Sequence, residues 1–265
     1  MKKPRSRPVR PNAGIQAAYR RALMRLVDEM GRSYMHWLRA AYRRNPPVLA
    51  QDALPSRELE REVRRMGRQW QRNFNEAAPK LGRWFATKVE DRSRRTLMKI
   101  LKDGGWTVQP DFFRQTEAAR DVLHATITEN VSLIKSIPAQ FHTQIEGMVM
   151  RSVVAGRDLA QLTRDLQKHF GVTRRRAEFI ARDQNSKATS AITRVRYMDL
   201  GIEEAIWMHS SAGKTKRPTH VANSGKKFNV ATGWFDPDPK VRAFIQPGWL
   251  INCRCTCRPV IKGFS

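Results

Sequence analysis

From Ala13 the chain places Ile15, Ala18, Tyr19, Ala22, Leu23, Leu26, Met30, Tyr34, Trp37, Leu38 and Ala41 at spacings of three and four. That period predicts an amphipathic helix, stopped by Asn45, Pro46 and Pro47. Leu59, Val63, Met66, Trp70 and Phe74 predict a second helix, with Ser56 as its N-cap and Pro79 as its end. A third runs through Leu81, Trp84, Phe85, Val89, Leu97 and Ile100 and breaks at Asp103-Gly104-Gly105. A fourth is expected over residues 111–135 and a fifth over 138–154. Trp37, Trp70 and Trp84 sit at helical spacing and are read as core side chains rather than base-stacking platforms.

After Gly156 the pattern changes. Leu159, Leu162 and Leu166 mark a short amphipathic helix that Gly171 closes. Thr173 then caps a long helix reaching Leu200, with Ala177, Ile180, Ala181, Ala188, Ala191, Ile192 and Val195 on its inner face. A helix-turn-helix reading is set aside, because the second helix is about twice as long as a recognition helix needs to be. Beyond Gly201 the period drops to two. Ala205, Trp207 and His209 alternate with Ile206 and Met208, a strand signature. Residues 225–233 suggest a second strand, and residues 249–261 a third, entered through Pro247 and Gly248. The fold class is therefore α+β: a helical N-terminal region, then a small domain of two helices and a short antiparallel sheet. The expected divisions are an arm at 1–12, a helical region at 13–155 and the α+β domain at 156–265.

Charge adds a partner class. The 265 residues carry 50 Lys and Arg against 24 Asp and Glu, a formal net charge of +26. Such an excess favours a polyanion, nucleic acid before an anionic membrane surface. The excess is heaviest in residues 1–110 and 209–265, whereas 111–150 is acidic on balance. Candidate phosphate contacts are Arg5, Arg7 and Arg10 in the arm, Arg61, Arg64, Arg65 and Arg68, and Arg92, Arg94 and Arg95. The arm has no apolar periodicity and is expected to be disordered, or ordered only on a partner. No stretch approaches the ~18 uncharged apolar residues of a membrane helix, and no apolar segment follows the basic opening as a signal peptide requires.

All three cysteines lie within five residues, at 253, 255 and 257. This is no disulfide framework, and reduced thiols in a cytoplasmic setting are expected. In an extended strand the three would share one face. Alternate Cα atoms would then stand ~6.8 Å apart, too far for three thiolates to meet one ion without a bend. Cys253, Cys255 and Cys257 are accordingly read as buried core thiols, with no cofactor. A metal set of Cys253 and Cys255 with His220, and with His209 as a further donor, becomes available only if the strand curls. His220 sits in a polar loop with Arg217, Thr219, Asn223 and Ser224 and is expected to hold that loop through a backbone carbonyl. No phosphate-cradling loop, G-x-S-x-G or H-E-x-x-H occurs.

The order of these C-terminal features resembles one family. Ala177, Ile180, Ala181 and Arg182 on the long helix are followed by Gly201, Ile202 and Trp207 at the turn and strand. Arg217, His220 and Gly225 come next, and Pro247, Gly248, Cys253, Arg254 and Cys255 close the set. This resembles the head morphogenesis domain of tailed phages, the family of the Mu F-like minor head proteins, over residues 150–260. Two departures stand out: Gly213 and Lys214 replace an acidic residue in the loop before Arg217, and Cys257 is an extra thiol.

The resemblance implies a low-copy, non-enzymatic capsid protein that enters during procapsid assembly in the host cytoplasm and remains in the virion. It also implies contacts with the portal protein and with scaffold or major capsid protein; some relatives bind DNA. The competing expectation is a DNA-processing enzyme, nuclease-like or toxin-like, with His220 as base, the cysteines beside it and arginines on the phosphate. Against it, Asp236 and Asp238 are the only carboxylates after Glu204, so a carboxylate pair for a catalytic metal is missing.

Overall fold

The computed structural model describes residues 6–44, 54–106, 116–154, 159–211 and 216–261. Four long helices, α1 (Ala13–Arg44), α2 (Leu54–Asp103), α3 (Glu117–Val154) and α4 (Leu159–Asp199), precede a small β-rich segment. That segment contains β1 (Glu204–Met208), α5 (Pro218–Ala222), β2 (Lys227–Asn229), β3 (Trp234–Asp236), β4 (Ala243–Ile245) and β5 (Thr256–Pro259). The α+β class holds. Among the described residues no helix is long and apolar enough to cross a membrane.

The helices are fewer and longer than the pattern suggests. Pro79 lies inside α2. Its ring, and Asn75 one turn earlier, are on the solvent side, so the carbonyl that loses its N–H partner faces water. The buried series Phe74, Ala78, Phe85, Ala86 and Val89 continues across it, and burial of that face outweighs the local penalty. Pro138 lies likewise inside α3. In the turn before it, the Leu133 carbonyl accepts from the Ser136 hydroxyl and the Lys135 carbonyl from the Gln71 amide.

Gly171 does not end a helix either. α4 passes through it, and the Thr173 hydroxyl donates back to the His169 carbonyl instead of capping a new start. Ser56 falls inside α2 rather than at its cap. Thr116 caps α3, its hydroxyl accepting from the Ala119 N–H, so residues 111–115 of the expected fourth helix lie outside the described residues. Trp70 is buried as expected, Trp37 is half-buried, and Trp84 is 36% exposed beside the buried Phe85.

The chain divides into two compact units. One comprises residues 17–82 and 129–181 and is wholly helical in its described residues. Its core holds Tyr19, Leu23, Val27, Met30, Tyr34, Val63, Phe74, Ile134, Phe141 and Ile145. Tyr34 meets Phe141 edge-on at 5.2 Å, and Phe141 stacks on His169 at 5.3 Å. The Tyr19 hydroxyl donates to Asn130 at 2.9 Å within that core.

The other unit gathers residues 1–16, 83–128 and 182–265. Its sheet has the order β2-β1-β5, both pairings antiparallel, with Ala205 opposite Phe228 and Trp207 opposite Cys257. A separate hairpin pairs β3 with β4. Trp207, fully buried, lies in the core with Leu97, Leu101, Tyr197, Ile202, Phe228 and Ile261. Arg196 of α4 and Glu90 of α2 form an ion pair buried beside it at 2.8 Å. The expected free arm is corrected over residues 6–12. Val9 is 4% exposed and enters this core, the Ser6 hydroxyl donates to the Pro259 carbonyl, and the Asn12 side chain accepts the Ile15 N–H. Burial of Val9 and the Ser6 and Asn12 hydrogen bonds together seat the segment.

The third expected strand is shorter than its pattern. Only Thr256–Pro259 pairs with β1, while residues 249–255 turn, with Asn252 at φ 60°. Cys253 and Cys255 therefore precede the strand and do not share an extended face with Cys257.

Candidate functional site

The turn that shortens the strand also builds the site. Gly248 adopts φ 87°, and a Cβ there would stand 3.3 Å from the Ser186 carbonyl oxygen and from Ser190 Cβ. Glycine is required for both reasons. The Ser190 hydroxyl donates to the Pro247 carbonyl. Asp183 accepts the Asn252 N–H at 2.8 Å, Arg182 donates to the Asn252 side-chain oxygen at 3.0 Å, and Arg217 donates to the Ile251 carbonyl at 2.9 Å. Four hydrogen bonds from α4 and the start of α5 thus hold residues 247–252 in one path.

His220 reaches the same place from α5. Pro218 opens this single turn and Asn223 closes it, after which Gly225 at φ 86° turns the chain back to β1. The Gly225 N–H donates to the Trp207 carbonyl at 2.8 Å, and the Trp207 N–H to the Lys226 carbonyl at 2.9 Å. Trp207 meets the His220 ring edge-on at 5.2 Å, and Trp234 does so at 6.0 Å. The imidazole is 2% exposed.

Its two nitrogens face different chemistry. Nε2 lies 3.1 Å from Oδ2 of Asp236, which is fully buried on β3 and whose Oδ1 accepts the Asp238 N–H. A carboxylate there can only accept, so Nε2 carries the proton and Nδ1 presents its lone pair. Nδ1 lies 3.6 Å from Cys253 Sγ and 3.5 Å from Cys255 Sγ. The Cys255 thiol donating to its neighbour's sulfur holds Cys253 well below the usual thiol range. The same hydrogen bond, together with burial, pushes Cys255 up. Burial alone pushes Cys257 up to about 12.

His220, Cys253 and Cys255, all buried, offer three ligand atoms within 4.8 Å of one another. Cys257 and His209 are not in this group. The expectation that His220 bonds a backbone carbonyl is corrected: its partners are a carboxylate and two sulfurs. Asp236, whose role in orienting His220 no spacing signals, is the member that sequence reasoning missed.

Many of the positions that carried the resemblance lie at this site. Arg182, Arg217, Pro247 and Gly248 hold the loop, Trp207 and Gly225 seat His220, and Cys253 and Cys255 face it. Arg254 lines a cleft of about 480 Å³ with Arg10, Gln16, Arg182, Ser186 and Ser210. Of the phosphate-contact candidates, three are ion-paired. Arg64 pairs with Glu60 and Glu146, Arg65 with Glu62, and Arg94 with Asp91. Arg7, Arg10, Arg61, Arg68, Arg92 and Arg95 are exposed, and Arg5 lies outside the described residues.

Fold and site together define a class: an α+β domain closed by a glycine-hinged loop over a buried His-Cys-Cys cluster. Residues 143–258, which contain every residue of that cluster, match the family described as Phage Mu protein F like protein, so the C-terminal part of this chain is similar to that family. An uncharacterized protein of Haemophilus influenzae is 34% identical over 187 residues, covering 69% of this chain and 39% of its own length. The chain thus spans well under half of that relative. No solved structure matches.

Proposed function

We propose that this chain is a minor head protein of a tailed phage or prophage, present in few copies and acting without catalysis. It joins the procapsid with the portal protein and with scaffold or major capsid protein, and its basic surfaces meet packaged DNA. The observation that carries this reading is the Mu F-like match over 143–258, which coincides with the loop-and-cluster construction. The net charge of +26 supports a place beside a polyanion.

The enzyme alternative is weaker on chemical grounds. A general base needs an imidazole nitrogen within reach of substrate. His220 is buried, with Nε2 engaged by Asp236 and Nδ1 facing two sulfurs. The test is quantitative mass spectrometry of purified procapsids and mature particles. A few copies per particle, in constant ratio to the portal protein, are expected; absence from both particles overturns the proposal.

A further inference from the structure

We propose that His220, Cys253 and Cys255 bind one zinc ion, and that the ion fastens the 247–255 loop to α5. The inference is independent of the capsid reading, since it concerns how this domain closes whatever it docks on.

Distances carry it first. With Zn–S near 2.3 Å and Zn–N near 2.0–2.1 Å in a tetrahedron, a sulfur and a nitrogen on the same ion stand about 3.5–3.6 Å apart. The separations from Nδ1 are 3.6 and 3.5 Å. An imidazole nitrogen has one in-plane lone pair and accepts one good hydrogen bond along it. Two sulfurs at nearly equal distance from that nitrogen are not needed for such a bond. They are what a shared ion on the lone-pair axis produces.

The surroundings carry it second. A ligating histidine needs its other nitrogen fixed, commonly by a carboxylate, so that the correct tautomer points at the metal. Asp236 does this from a fully buried position, held in turn by the Asp238 N–H. Thiolate and imidazole donors together suit zinc rather than the hard, oxygen-seeking cations. Both sulfurs are thiolates in the bound site: starting from the dithiol, two S–H bonds break, two Zn–S bonds form and two protons leave to solvent. The dication is then neutralised by two thiolates, which makes its burial tolerable. Three protein ligands are supplied, and water takes the fourth position. The Cys-x-Cys spacing offers this set only if the strand curls, and the turn through Gly248 and Asn252 supplies that curl.

The test uses the full chain, produced with zinc in the medium and dialysed against metal-free buffer. Elemental analysis should find one zinc per chain. Cobalt(II) added to the apoprotein should give the absorption of a tetrahedral site with thiolate charge transfer. Cys253→Ser and His220→Ala should abolish both signals, whereas Cys257→Ser should keep them. Asp236→Asn should retain the ion but weaken it about 10–100-fold in competition with a chromogenic chelator. Wild-type protein that carries no zinc and gives no cobalt spectrum overturns the proposal. Equal loss of metal in Cys257→Ser overturns this choice of ligands.

Discussion

At the scale of single residues, two glycines separate backbone strain from steric contact. Gly225 and Gly248 have nearly the same φ, 86° and 87°, but only Gly248 has atoms within 4 Å of an added Cβ. Alanine at Gly225 should cost about 1 kcal/mol for the left-handed backbone alone. Alanine at Gly248 should cost more, because Ser186 and Ser190 must also yield. Urea unfolding followed by tryptophan fluorescence measures both, and equal losses would show that the contact is relieved freely. The buried Arg196–Glu90 pair belongs to this scale as well. Its attraction is offset by desolvation, so it fixes how these two side chains meet more than it adds to stability.

At the scale of elements, the chain was legible in type and misleading in number. Periodicity found the four long helices but not the single turn of α5, which reads as a loop, and the alternation around Trp207 found β1. What failed was punctuation. Pro79, Pro138, Gly171 and Thr173 are stop or start signals by local rule, yet each lies within a continuous helix. An exposed proline forfeits one backbone bond to water, while the apolar face on either side stays buried. Pro79→Ala should accordingly stabilise the protein by up to about 3 kcal/mol, since it restores the bond and relieves the clash with the Asn75 carbonyl. A lower urea midpoint in this variant would mean that proline is preferred there for a bend. The site was legible in its histidine and two of its cysteines, because they fall in one recognisable order. It was illegible in Asp236, which meets His220 from β3, and in the curl of residues 249–255, which depends on contacts from α4 that no local pattern announces.

At the scale of the molecule, charge is the property with the widest reach. Arg64, Arg65 and Arg94 are matched with carboxylates, whereas Arg61, Arg68, Arg92 and Arg95 are exposed without a salt bridge in the described structure. If the protein meets DNA, replacing the second set with serine should flatten the dependence of log affinity on log salt by about 0.9 per lost phosphate contact. Replacing the first set should change it less. Fluorescence anisotropy on a random duplex gives both slopes, and identical slopes for wild type and the exposed-set variant would remove these arginines from any DNA-facing surface.

The seat of Val9 also sets an order of events during synthesis. Ser6 and Pro259, which bond across 253 positions, and Val9 and Ile261, which share a core, are made far apart in time during translation. At about 5–20 residues per second the early segment waits roughly 13 to 50 seconds for its partners. Throughout that interval a basic, partly apolar strip remains uncovered on the nascent chain. The unit containing Trp207 can therefore complete its folding only after synthesis has passed Ile261, and a ribosome stalled before that point leaves it open to chaperones and proteases.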